Sequence, residues 1–448
     1  MPSYRTPAVY VEEISTLPPS VAEVSTAIPA FIGYTERGSG VARINTLLEF
    51  EQRFGGPSRS KFTVTTRPED PGKPAGPRVI ASISRDAATA FGLYYSISLF
   101  FKNGGGTCYI SSVGNYDATP EAAHFEAGLA ALEKEDEPTL LVLSDATLLD
   151  QAAYGPLCAA ALAQCKKLGD RFAIFDVKDG DADAFRSGVG NNNLMYGAAY
   201  HPYVLTTINY QYAEADVAIT TGAEDGATTL AAIKSGDKPE TALYNAVRTA
   251  LAGERVTLPS SAAVAGVYAQ TDRERGVWKA PANVSLAAVI GPVAKITNEE
   301  QEGLNVDANA GKSINAVRAF TGKGTLVWGA RTLAGNDNEW RYVPVRRLFI
   351  TIEESCQKAT SFAVFEPNDA TTWLKVKGMI ESYLYGLWEK GALAGGKPES
   401  AYFVNVGLGK TMTAQDVLEG RMNIEIGVAA VRPAEFIVLR FSHKLQEA

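Results

Sequence analysis

Between residues 27 and 177, short apolar runs alternate with longer segments whose apolar residues recur three and four positions apart. The short runs have the composition of buried strands, and they cover residues 27–34, 107–113, 139–143 and 171–177. The longer segments have helical spacing, and they cover residues 47–54, 87–102, 121–133 and 151–168. Since strands that are separated by helices usually pair in parallel, this alternation predicts an α/β domain with helices flanking a parallel sheet.

The size of the chain requires more than this one domain. At 448 residues it exceeds the length at which a single core usually stops growing, so two or three domains are expected. Hydrophobic residues make up 46% and charged residues 21%, which is typical of globular proteins and excludes disordered and fibrous classes. The net charge of -8, with no run of basic residues, argues against nucleic acid as a partner.

Cysteine usage and hydropathy indicate a protein that folds in a reducing cytoplasm. The four cysteines lack Cys-x-x-Cys spacing and lie in apolar surroundings, so buried free thiols are favoured over disulfides or metal ligands. They are Cys108, Cys158, Cys165 and Cys356. No stretch approaches the roughly 20 apolar residues that a membrane-spanning helix needs, so direct membrane insertion is not expected.

Both ends of the chain carry strand-like segments without a local partner. Residues 4–14 alternate around Val9, Tyr10 and Val11, and no hairpin partner follows, so the segment either pairs elsewhere or is a frayed tail. At the other end, residues 422–441 are predicted to form two strands. The last strand has apolar residues on both faces, with Ile437, Leu439 and Phe441 on one of them. An exposed apolar strand requires a dedicated partner.

Four further stretches have a predicted conformation. Residues 58–78 contain four prolines and are predicted to form an extended surface loop, and residues 212–241 are predicted to be mostly exposed. A helix is predicted to begin at Val343, with Pro344 in its first turn, and a second helix covers residues 371–390.

The sequence gives little support for catalysis. Two lookalikes of a phosphate-binding loop, at residues 311–313 and 409–411, lack the required upstream glycine. The three histidines, at positions 124, 201 and 443, have no nucleophile-elbow or zinc-binding context. No catalytic, cofactor or metal site is therefore predicted.

The carboxy-terminal half resembles the contractile tail sheath family of bacteriophages and related injection machines. The resemblance rests on five groups of residues, which are Arg275–Asn283, Val327–Leu333, Arg346-Arg347 with Ile352–Glu354, Phe365–Asp369, and Trp373. The opening residues 6–14 and the closing residues 437–441 resemble the two ends of that family. Residues 35–270 carry fewer recognisable motifs.

This resemblance implies a multidomain α/β and α+β fold. The central domain would be subtilisin-like without a catalytic triad, and it would form with the outer domains the region 27–337. An inner α+β domain, residues 338–448, would be completed by the amino-terminal arm, residues 1–26, of a neighbouring subunit. The subunit contacts would include Val9, Tyr10 and Val11 in one arm, and Ile437, Leu439 and Phe441 in the other.

The function implied by the resemblance is structural. The chain would be made in the bacterial cytoplasm and polymerise as stacked hexameric rings around an inner tube. On triggering, it would contract and drive the tube through a target envelope. Its partners would be further copies of itself, the tube protein, and baseplate and terminator or cap proteins. The alternatives are a non-contractile shell or filament protein and a degenerate hydrolase on an α/β core.

Two pairs of basic residues on predicted helices are candidates for the surface that faces the tube. They are Arg346 with Arg347, and Lys375 with Lys377. Each pair either contacts an acidic partner surface or lies on a solvated helix face.

Overall fold

The computed structural model describes residues 21–72, 76–86, 91–221, 228–235 and 240–440. These residues divide into two compact units. The central unit comprises residues 25–351 and 432–440, and the C-terminal unit comprises residues 21–24 and 352–431. Residues 338–351, assigned to the C-terminal domain in the sequence analysis, belong to the central unit because Val343 and Ile350 are part of its core.

The strands, in chain order, are β1 (Pro29–Gly33), β2 (Gly40–Ile44), β3 (Phe62–Pro68), β4 (Arg78–Arg85), β5 (Cys108–Ser112), β6 (Leu140–Val142), β7 (Phe172–Asp176), β8 (Gly197–His201), β9 (Val204–Asn209), β10 (Val217–Thr220), β11 (Thr228–Thr229), β12 (Arg255–Leu258), β13 (Val284–Ser285), β14 (Val289–Pro292), β15 (Ile314–Phe320), β16 (Gly324–Trp328), β17 (Tyr402–Val406) and β18 (Ile424–Val428).

The α-helices are α1 (Leu47–Phe54), α2 (Leu93–Lys102), α3 (Ala122–Leu132), α4 (Gln151–Leu168), α5 (Ala182–Gly188), α6 (Leu230–Ser235), α7 (Thr241–Gly253), α8 (Ser261–Arg275), α9 (Asn298–Asn305), α10 (Val343–Thr360), α11 (Ala370–Glu389), α12 (Pro398–Ala401) and α13 (Ala414–Leu418).

A nine-stranded sheet forms the centre of the central unit, with strand order β13-β16-β15-β8-β7-β6-β1-β5-β2. The six strands from β15 to β5 are parallel, while β2 and β16 pair antiparallel with their neighbours. The strands β1, β5, β6 and β7 are buried along their whole length, which explains why their sequences are mostly apolar. The predicted α/β domain with a parallel sheet is therefore confirmed.

A four-stranded sheet, in the order β11-β10-β3-β4, corrects two predictions. The proline-rich stretch 58–78 is not simply a surface loop, because Phe62 and Val64 of β3 alternate with threonines and pack into a second core. Val217 and Ile219 of β10 belong to the same core, so residues 212–241 are not uniformly exposed. A third sheet, β12-β9-β14, completes the sheets of the central unit among the described residues.

The C-terminal unit is built on helix α11 and the two-stranded antiparallel sheet β17-β18. Asp369 starts α11 by accepting hydrogen bonds from the amides of Thr371 and Thr372, so the predicted helix 371–390 is confirmed within one residue. Val24 N–H donates to Ser355 Oγ, which ties residues 21–24 to this unit. The first strand predicted in 422–441 is β18, whereas residues 431–440 form no strand within the described part of the chain.

Candidate assembly site

The C-terminal segment, residues 436–440, exposes consecutive apolar side chains. Phe436, Ile437, Val438 and Leu439 are 71%, 79%, 76% and 73% exposed. Full burial of a side chain of this size contributes about 1.5–3 kcal/mol. Covering these four side chains would therefore contribute substantially to the free energy of binding a partner. The segment therefore has the properties of a surface that a partner covers. Of the predicted contact residues, Ile437 and Leu439 lie here, while Val9, Tyr10, Val11 and Phe441 lie outside the described residues.

At the base of this segment, one carboxylate accepts several hydrogen bonds. Glu435 accepts hydrogen bonds from Nε and Nη2 of Arg331 at 2.8 and 2.6 Å, from Asn305 Nδ2 at 3.0 Å and from Tyr342 OH at 3.2 Å. Burial alone would raise the pKa of Glu435, but the hydrogen bonds and the charge of Arg331 outweigh it and lower the pKa. The carboxylate is thus ionised and well satisfied.

The C-terminal unit offers strand edges that could receive such a segment. The sheet contains only β17 and β18 among the described residues, paired from Tyr402 with Val428 to Val406 with Ile424. A two-stranded sheet is marginal by itself, and its outer edges carry backbone groups that can pair with another chain. Phe403, on β17, is about half exposed beside them.

The prediction that Arg346 and Arg347 face a tube was wrong. Both side chains are buried in the central unit. The guanidinium of Arg347 bonds both carboxylate oxygens of Asp272, at 2.5 and 3.0 Å. That of Arg346 lies 4.6 Å from the ring centroid of Trp340. The physical reason is that residues 343–348 of α10 are all buried, so this part of the helix has no solvated face on which to place them.

Lys375 and Lys377 lie on opposite flanks of the buried Val376 in helix α11. Lys375 is exposed, and Lys377 is partly exposed with its Nζ 3.5 Å from the carboxylate of Glu381, one helical turn further on. Leu374, beside Lys375, is also exposed. These lysines are accessible to a partner, although Glu381 partly neutralises the charge of one of them.

The carboxyl edge of the parallel sheet, where α/β proteins commonly bind ligands, is occupied by the subunit's own carboxylates. Asp145 follows β6 and accepts hydrogen bonds from the amides of Tyr34 and Gly92 at 3.0 and 2.9 Å. Asp176 ends β7 and accepts from the amide of Ser261, at the start of α8, at 2.8 Å. Burial raises the pKa of each aspartate to about 6.

Gly33 at the end of β1 makes room for the first of these carboxylates. A Cβ at Gly33 would lie 2.7 Å from Asp145 Oδ2. The two aspartates thus satisfy the amino-terminal ends of α2 and α8, which in other α/β proteins can hold a bound anion. Of the two described histidines, His124 bonds the hydroxyl of Tyr34 at 2.8 Å through Nδ1.

The described residues contain neither a metal-binding cluster nor a membrane-spanning helix. No group of three or more His, Cys, Asp or Glu side chains is arranged there to hold a metal ion. Within the same residues, no helix combines the length and apolar character needed to cross a bilayer. All four cysteines are free and buried, as predicted.

Comparison with known proteins defines the class to which this fold and its exposed segment belong. The family described as the phage tail sheath C-terminal domain matches residues 335–444. The anti-feeding prophage helical sheath in its contracted state superposes with a TM-score of 0.68 and 33% identity, over 99% of this chain and 100% of that chain. The sheath complex of an extracellular contractile injection system in its contracted state gives a TM-score of 0.65 and 31% identity, over 99% of each chain.

Curated relatives with sequence similarity are also sheath proteins. The tail sheath protein of Enterobacteria phage T4 is 26% identical over 159 residues, which is 36% of this chain and 23% of the relative. The putative prophage major tail sheath protein of Pseudomonas aeruginosa (strain UCBPP-PA14) is 26% identical over 180 residues, 40% of this chain and 44% of the relative. The matched part is thus less than half the length of each of these two relatives. The chain is a structural subunit of a contractile assembly, and it belongs to the contractile tail sheath family.

Proposed function

We propose that this chain polymerises helically around an inner tube and contracts to drive the tube through a target envelope. The observation that carries the proposal is the match over nearly the whole of both chains to a helical sheath in its contracted state. We further propose stacked hexameric rings, an inner tube protein, a baseplate and a terminator or cap protein as partners. The particle would be a phage tail or an injection particle assembled in the bacterial cytoplasm.

The contacts between subunits would be made by strand exchange. In this proposal, residues 436–443 of one subunit add to an edge of the β17-β18 sheet of a neighbour, and residues 4–14 pair in the same way. The exposure of Phe436 to Leu439 and the narrowness of the receiving sheet support this arrangement. Strand addition keeps subunits linked through main-chain hydrogen bonds while their units reorient. The same proposal includes a subtilisin-like α/β fold without a catalytic triad for the central domain, and the six parallel strands of its sheet support it.

Contraction in this scheme requires neither nucleotide nor metal. The extended lattice would be assembled as a metastable state with less buried interface than the contracted lattice, separated from it by a barrier. The proposal that no nucleotide is needed is supported at the carboxyl edge of the sheet. There Asp145 and Asp176 accept hydrogen bonds from the helix termini of the subunit itself, which are the groups that would otherwise bind a phosphate.

Negative-stain microscopy of the purified protein tests the proposal. A sheath subunit forms long hollow tubes at high concentration, because its own copies are its main partner. Compact particles of single-subunit size at all concentrations would contradict the proposal. An assay of contraction needs the tube protein and baseplate as well.

A further inference from the structure

We propose that the Arg331–Glu435 ion pair anchors the exposed C-terminal segment to the nine-stranded sheet and carries load between them. The inference rests on the proposed function, in which that segment is bound by a second copy of this chain. Under that function, any pull between subunits enters the donor subunit at the base of the segment. The structure shows what holds that base.

The segment has few fixed points in its own subunit. Within residues 432–440, hydrogen bonds to the rest of the subunit come from Arg432, which donates to the carbonyl oxygen of Asn338 at 2.8 Å, and from Glu435. Arg432 is on the surface, so its bond is exposed to water and contributes little. Glu435 is therefore the main attachment of the segment.

The pair at Glu435 has the geometry of a strong, directional contact. The Arg331 side chain is 4% exposed, and it meets the carboxylate through two parallel hydrogen bonds. Such bidentate pairs fix orientation as well as distance. A backbone bridge between Arg331 and Tyr342 places both side chains toward Glu435, and Asn305 supplies the fourth donor.

The backbone of Arg331 is in turn hydrogen-bonded to the central sheet. Asn315, in β15, accepts from the amide of Arg331 at 2.8 Å and donates to its carbonyl oxygen at 2.8 Å. Its side chain also donates to the carbonyl oxygen of Ala199 in β8 at 3.2 Å. Gly329 permits this approach, because a Cβ there would lie 2.7 Å from Asn315 Oδ1. The sequence Gly329-Ala-Arg331 thus has a physical role in this contact.

These contacts form a continuous series from the interior to the surface. It runs from β8 and β15 through Asn315, the backbone and guanidinium of Arg331, and the carboxylate of Glu435 to the exposed Phe436. Force applied to a bound segment would reach the parallel sheet through this series. Without the ion pair, the segment would be tethered mainly by its covalent chain, and pulling would detach it from the central unit.

Three variants test the anchor. Glu435→Gln keeps the shape and removes the charge, while the double variant Arg331→Met with Glu435→Gln also removes the buried cation that would otherwise lack its carboxylate. Glu299→Gln is the control, since Glu299 is an exposed carboxylate on α9 of the same unit. Each protein is examined by thermal unfolding, by sedimentation of polymer at equal concentration, and by the urea resistance of the polymer.

We expect Glu435→Gln to form at least about tenfold less urea-resistant polymer than the parent protein. The double variant should recover the parent's unfolding temperature and remain deficient in polymer, because removing an unpaired buried charge restores the fold but not the anchor. Parent-like polymer from Glu435→Gln, or recovery of polymer together with stability in the double variant, would overturn the inference. If neither the parent nor Glu299→Gln polymerises, the proposed function itself fails.

Discussion

The carboxyl edge of the central sheet and the C-terminal segment differ in which side chains they bury and which they expose. At the sheet edge, Asp145 and Asp176 are buried and their oxygens are bound by backbone amides of the same subunit. At the segment, one satisfied carboxylate, Glu435, is followed by four exposed apolar side chains. The two carboxylates are bound within one subunit, whereas the four apolar side chains are exposed in it. This difference favours the C-terminal segment, rather than these two positions of the sheet edge, as the proposed partner-binding surface.

The largest effect is expected from removing the exposed C-terminal segment. Deletion of residues 436–448 should leave a folded subunit, since none of the described residues in that range belongs to either core cluster. Ordered polymer should be lost, because the donor segment is gone. Circular dichroism checks the fold and negative-stain microscopy checks the polymer. Tubes of normal appearance from the truncated protein would show that the segment has no part in assembly.

Removing one of the two buried carboxylates at the sheet edge should make the subunit less stable. Asp145→Ala leaves the amides of Tyr34, Gly92 and Leu93 buried without an acceptor, at about 1–3 kcal/mol for each such group. We expect the free energy of unfolding in urea to fall by at least about 3 kcal/mol.

The matched control for this change is Asp150→Ala. Asp150 is an exposed cap that accepts from the amide of Ala153, and its loss should cost about 1 kcal/mol. If the two variants lose the same free energy of unfolding, the burial of Asp145 does not increase its contribution to stability.

The same region should impose a pH dependence. Burial raises the pKa of Asp145 to about 6, above the value of about 3.9 in an unfolded chain. Its contribution to stability is therefore greatest below pH 4 and declines as the pH rises toward and through 6. Asp145→Asn should reduce the fall in unfolding free energy between pH 5 and pH 7 by about 1 kcal/mol relative to the parent. If the parent and the variant lose the same unfolding free energy between pH 5 and pH 7, the raised pKa of Asp145 is contradicted.

The smallest effect is expected at the lysines of α11. Replacing Lys375 and Lys377 by glutamate should weaken loading onto the tube, since exposed ion pairs contribute about 0–1 kcal/mol each but repeat along a lattice. Tube-free polymer should be unaffected.

The control replaces Lys397 and Lys410, which are exposed in the same unit, and makes the same change of charge. Pull-down on tube protein over a range of salt compares the two double variants. If they load equally well, the lysines are a solvated face of the helix and do not contact the tube.

The sequence predicted those elements whose signals are local. The helices 47–54 and 151–168 have the bounds expected from their spacing. Strand β3 was missed because prolines at its end outweighed a short alternation of Phe62 and Val64 with threonine. Arg346 and Arg347 were misassigned because charge was taken to mean exposure, although residues 343–348 of that helix are all buried.

The anchor of the C-terminal segment could not be predicted from one sequence. Arg331 and Glu435 are 104 positions apart, and nothing in the local pattern around either residue indicates the other. The exposed apolar run after Glu435 was predictable, because strand-like composition at a chain end is a local property. What such a run attaches to, within its own subunit and beyond it, depends on tertiary structure.

The most direct test of this account is a cryo-EM reconstruction of the polymer at side-chain resolution. The account predicts that residues 436–439 of one subunit pair as a strand with an edge of the β17-β18 sheet of a neighbour. It also predicts that Glu435 remains bound to Arg331 in the donor subunit. A segment that lies free in solvent, or that folds back onto its own subunit in the polymer, would contradict it.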